Sequence, residues 1–157
     1  MIKKIKKIFF LALSIFLVSF LVGAQTTISN LIWLISIDMP ITLEIFFSSI
    51  YHDFVLMSLT PVPPAPFPLL LSIITIGFFI SFAVTWVLLK WVDVQKKYAY
   101  GIAGAMALVS IVYLMPLIFF GVDALAGART SIGKVTLIIC GYLGGHFFGS
   151  RLNRVEI

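Results

Sequence analysis

The sequence predicts an all-α integral membrane protein: a small bundle of four transmembrane helices, the first of them weaker, with an outer amphipathic helix. Three observations predict it. Apolar residues of the AVILMFWYC set make up 61% of the 157 residues and charged residues only 11%, too little polar surface to cover a water-soluble globule. Mean hydropathy is +1.15. Lysines and arginines flank the long apolar runs instead of interrupting them, as they do around membrane spans. A cytosolic enzyme, a secreted domain and a disordered chain are excluded together. The net charge of +5 does not point to nucleic acid, because the cations sit at span ends and not along one basic stripe.

The first segment opens on Lys3, Lys4, Lys6 and Lys7 and runs apolar over residues 8–23, interrupted by Ser14 and Ser19. Sixteen residues of helix reach only ~24 Å, short of a ~30 Å hydrocarbon core. Residues 1–24 therefore read as an N-terminal anchor or a signal peptide. The basic start and Val22-Gly23-Ala24 before Gln25 suit cleavage. The anchor is preferred, because the helical pattern continues through Asn30 into Leu31-Ile32-Trp33 and completes a tilted span.

Residues 25–68 form a non-cytoplasmic segment punctuated by Asp38, Pro40, Glu44, His52 and Asp53. Pro40 suits the first turn of a new helix, with Asp38 as its cap. At 100° per residue Glu44, Ser48 and His52 share one face, with Phe46, Phe47, Ile50, Phe54 and Met57 on the other. The pattern describes an amphipathic helix lying at the outer interface or folded over the bundle. Five prolines between Pro61 and Pro68 then make a semi-rigid spacer.

Residues 69–149 supply the three-helix core. The second span covers residues 69–89, with Trp86, Trp91 and Lys90 at its inner end; the third covers 101–120, with Pro116 expected to kink it. The fourth covers 132–148, with Lys134 one turn in, and residues 150–157 form a cytoplasmic tail. Asp123 and Arg129 are expected to pair in the solvated turn between the third and fourth spans. With the N-terminus inside, nine of the 11 Lys+Arg fall on the inner side, which places both termini in the cytoplasm and suits a bacterial inner membrane.

The strongest local pattern is Gly141, Gly145 and Gly149 at successive i,i+4 positions, a flat helix face that another backbone can approach closely. Gly101, Ala105 and the Ala103/Ala107 pair of the third span are the expected partners, and a homo-oligomer is the alternative use of this face. Gly77, Ser81 and Thr85 repeat the spacing on the second span, read as a packing stripe whose hydroxyls bond their own helix. Glu44, His52 and His146 are the polar candidates. His52 lies outside and His146 near the inner end, so one haem cannot join them; Glu44 and His52 stand two turns apart, ~12 Å along a helix, too far to share a metal. No metal or cofactor is expected, and Cys140 reads as a packing residue without a disulfide partner.

No span carries an acidic or basic residue at its mid-depth, which argues against an ion-coupled transporter. The leading functional expectation is a structural or accessory subunit of a membrane complex, bound to the bilayer and to other membrane protein chains. A homo-oligomeric small-solute channel or transporter is the alternative, and a membrane redox or enzyme subunit the second alternative.

Overall fold

The computed structural model describes residues 2–61, 67–118 and 125–156. It contains five α-helices: α1 Ile2–Ile35, α2 Leu43–Ser58, α3 Leu69–Leu88, α4 Lys96–Ile118 and α5 Ser131–Glu156, with a short 3-10 turn at Ala126–Arg129 before α5. Four stretches are long and apolar enough to cross a membrane: Ile5–Ser36, Leu69–Leu88, Lys96–Leu117 and Ser131–Leu152. The prolines over residues 62–66 and the Asp123 partner assigned to Arg129 lie outside the described residues.

The four long apolar helices run antiparallel in succession, and side-chain meetings fix their register. Phe10 and Phe147 receive the Arg151 guanidinium, Ser14 donates to the Gly144 carbonyl at 2.6 Å, and Gln25 meets Gly127, so α1 and α5 point in opposite directions. Gly77 faces Ile111 and the Ser81 hydroxyl donates to the Ala103 carbonyl at 2.6 Å, pairing α3 with α4. The described cations consequently divide by end. Lys6, Lys7, Lys90, Lys96, Lys97 and Arg151 share the end where α1 begins, whereas Arg129 and Lys134 lie at the other with Asp38, Glu44 and Asp53. At the basic end an aromatic cluster closes the core. Phe82 stacks on Phe148 with centroids 5.0 Å apart, and Tyr100 meets both rings edge-on.

The helix that begins at Ile2 does not break at residue 24. Its 34 residues give a rod of ~51 Å. Gln25 is already level with the 3-10 turn, so the last turns of α1 stand beyond the ends of α3, α4 and α5. Ser14, Val18, Ser19, Val22, Thr26 and Thr27 are almost wholly covered, which makes α1 a core element along much of its length.

One expectation about α2 is corrected. Asp38 does not cap it: with φ 59°, Asp38 is the left-handed residue that ends α1. Met39 N–H bonds the Leu34 carbonyl and Asp38 N–H that of Ile35, the paired bonds of a Schellman motif, and Pro40 follows where a helix cannot resume. Thr42 caps α2 instead, its hydroxyl accepting from Ile45 N–H at 3.3 Å. Of the two placements expected for α2, the structure has the one folded over the bundle. Helix α2 runs back along α1, Phe54 packing on Gly23 and edge-on against Phe16 and Phe20. Phe47 is therefore 67% exposed, because it stands a turn or two further out than Phe54, where fewer helices reach.

The αL position at Asp38 yields a direct test. Asp38→Gly should leave the thermal midpoint in detergent unchanged or raised, and Asp38→Val should lower stability by about 1 kcal/mol. A valine variant as stable as the parent would contradict the cap.

Candidate functional site

The glycines of α5 are spent inside the chain. A Cβ on Gly141 would strike the Gly104 carbonyl oxygen, and one on Gly104 would strike that of Gly141. A Cβ on Gly145 would strike the Tyr100 carbonyl and lie 3.2 Å from Gly101 Cα; one on Gly149 would lie 2.6 Å from the Lys96 carbonyl and 2.8 Å from Lys97 Cα. The atoms in the way are mostly backbone, which cannot swing aside. Helices α4 and α5 thus touch main chain to main chain over three turns, the approach that small residues permit where lipid removes the hydrophobic drive.

The partners differ in part from those expected. Gly104, not Ala105, is the residue that Gly141 meets, and Ala105 is only half-buried. Gly101 faces the Tyr142 ring as well as Gly145, and the ring would lie 2.8 Å from an added Cβ. Ala103 and Ala107 turn toward α3, where Ala103 accepts from Ser81 and Ala107 lies near Gly77. Gly144 points the other way: a Cβ there would collide with Val18 of α1. Its neighbour in sequence, Gly145, serves α4, so adjacent glycines let one helix touch two others.

The polar candidates do not converge. Glu44 and His52 are exposed on α2, and His146 lies half-buried beside Tyr142, its ring tilted 24° from it at 5.9 Å, and Tyr98 at 6.0 Å. Among the described residues no group of three or more His, Cys, Asp or Glu could hold a metal ion. Asp53 behaves differently from Glu44 and His52. It turns to α1 and accepts from the Thr27 hydroxyl at 2.9 Å. Its position shares the edge of Ile50 and Met57, a signal that helical projection offers but that a search for polar faces passes over.

Between α3 and α4 a groove of about 550 Å3 opens laterally. Gly77, Ser81, Ala107 and Ser110 keep it deep, and Ile80 and Met106 form parts of its rim. Ser81 already donates to Ala103, and the Thr85 hydroxyl donates to the Ser81 carbonyl at 2.9 Å, so these hydroxyls are engaged within the helix pair. No family model matches the chain, and no curated protein or solved structure matches it.

Alanine substitutions rank the contacts. Gly145→Ala and Gly104→Ala should each cost on the order of 1–3 kcal/mol, Gly101→Ala less, because the Tyr142 ring can rotate, and Leu143→Ala, half exposed, least. Thermal unfolding in mild detergent reads the order; equal stability of Gly145→Ala and Leu143→Ala would refute the backbone contact.

Proposed function

We propose that this chain is a small multi-pass membrane protein acting as a structural or accessory subunit of a membrane complex. Its basic end faces the cytoplasm of a bacterial inner membrane, with both termini inside and α1 retained as the first span. The division of the cations supports the orientation, since membrane proteins keep Lys and Arg on the untranslocated side. The packing of α1 against α5, α2 and α3 supports its retention: removal of residues 1–24 would strip Ser14, Val18 and Val22 from the core.

The lateral groove between α3 and α4 is the observation that carries the subunit reading. Its small residues allow a second helix to come close, and dispersion plus close packing is what drives helix association in lipid. The face of α3 beside it is apolar and uncovered, with Phe79 65% exposed and Ile76 59%. The partner surface accordingly moves from the glycines of α5, which α4 occupies, to α3 and α4. A pore lined by Ser81 and Thr85 has less support, because both hydroxyls already donate to carbonyls of this chain.

Photo-crosslinking amino acids at Ile80 and Met106, compared with Ile139 and Leu143 on α5, test the groove in native membranes. The subunit reading expects a discrete adduct with a different protein from the groove positions alone. An adduct of twice the chain's mass would favour the homo-oligomer, and lipid adducts only would overturn both. In a Cys140→Ser background, a cysteine at Thr130 should label from outside and one at Gln95 only after permeabilisation; the reverse would overturn the orientation.

A further inference from the structure

Beyond the end of α3, α4 and α5, α1 and α2 enclose a notch of about 350 Å3. Four oxygen-bearing side chains line it: Thr27 and Asn30 from α1, Ser49 and Asp53 from α2. Leu31 and Leu34 supply apolar wall, and Trp33 stands at the edge, 61% exposed.

The Asp53 carboxylate has acceptor capacity beyond its bond from Thr27. An ionised carboxylate offers about four lone-pair sites, and the hydrogen bond it has comes from Thr27. That hydroxyl carries one proton, and the Gly23 carbonyl at 3.1 Å competes for it. Among the described residues no lysine or arginine pairs with Asp53, and the sequence contains neither residue between Lys7 and Lys90. The α1–α2 segment that forms the notch carries only acidic charges at this end, whereas the cations of this end, Arg129 and Lys134, belong to the 3-10 turn and the start of α5. Asp38 and Glu44 lie at this end, and the notch borders the last turns of α1, whose C-terminus carries a partial negative charge.

We propose that the notch binds an organic ammonium group. Three N–H donors on one nitrogen suit the Asp53 carboxylate together with the Ser49 hydroxyl and Asn30 amide oxygens. The Trp33 ring adds a face that attracts cations, and the leucines accept the carbon stem. A bare divalent ion fits less well: one carboxylate is a thin charge count for it, and the space exceeds its size. Two sources share this chemistry, the amine of a phospholipid headgroup and a free soluble amine. The lipid source rests on the membrane reading proposed above, in which this end lies at the outer bilayer boundary; the soluble source does not.

The test uses the full chain with Trp86→Phe and Trp91→Phe, so that Trp33 is the fluorescent reporter. In phosphatidylglycerol nanodiscs it is titrated with ethylammonium chloride, and with sodium chloride and magnesium chloride as controls; separate nanodiscs carry increasing phosphatidylethanolamine. A saturable response to ethylammonium alone assigns a soluble amine, and one to phosphatidylethanolamine assigns the headgroup. Asp53→Asn, which keeps an acceptor for Thr27, should weaken the response about tenfold or more, Asn30→Ala should weaken it with the carboxylate intact, and Ser48→Ala, exposed on α2 outside the notch, should leave it unchanged. No saturable response from either amine in a helical, monodisperse sample, an equal response to sodium or magnesium, or full binding by both Asp53→Asn and Asn30→Ala would overturn the proposal. The groove crosslinks read a different face, so their failure leaves this result standing, and the reverse holds.

Discussion

The structure depends on how closely α5 can approach α4. Helices in lipid have no hydrophobic drive to associate, so attraction must come from dispersion and polar contacts at short range. Gly104, Gly141, Gly145 and Gly149 allow that range by leaving mostly backbone, with the Leu108 side chain beside Gly141, along the line of contact. A single methyl group at Gly141 or Gly145 meets a carbonyl oxygen, and neither helix can yield without shifting along much of its length. The contact therefore sets the spacing of the two helices and leaves little freedom in their register.

Other features follow from that spacing. With Gly145 turned to α4, Gly144 faces α1, where Val18 fills the space and Ser14 donates to the Gly144 carbonyl. That carbonyl accepts a bond from outside its own helix, a polar tie worth about 0.6 kcal/mol in a bundle. Phe148 is brought against Phe82 and Tyr100, which joins α3 to the α4–α5 pair at the basic end. The lateral groove opens between α3 and α4 along residues 73–84 and 106–115.

The four apolar helices were legible because a membrane span announces itself by length and hydropathy, and residues 69–89 match α3 to within one residue. The glycine spacing marked the closest face of α5, since a 4-residue repeat is a property of the sequence alone. What opposes that face was not legible: Gly101, Gly104 and Ala105 are all small, and a choice among them turns on relative rotation, a tertiary quantity. Asp38 and Pro40 read as a helix start because both residues favour N-termini. They serve a helix end, because α1 runs eleven residues past Ala24 and needs a left-handed residue where it stops. The notch was hidden for a related reason. Asp53 neighbours His52 in sequence, but 100° of helical rotation sends one to solvent and the other to Thr27.

The most direct measurement of the central contact is the glycine-selective proton spectrum of the isotopically labelled chain in bicelles. Close main-chain approach predicts through-space cross-peaks between the Hα protons of Gly104 and Gly141 and between those of Gly101 and Gly145, arising within one chain in samples of mixed labelling. Cross-peaks found only between differently labelled chains, or none between α4 and α5 glycines in a folded sample, would contradict it.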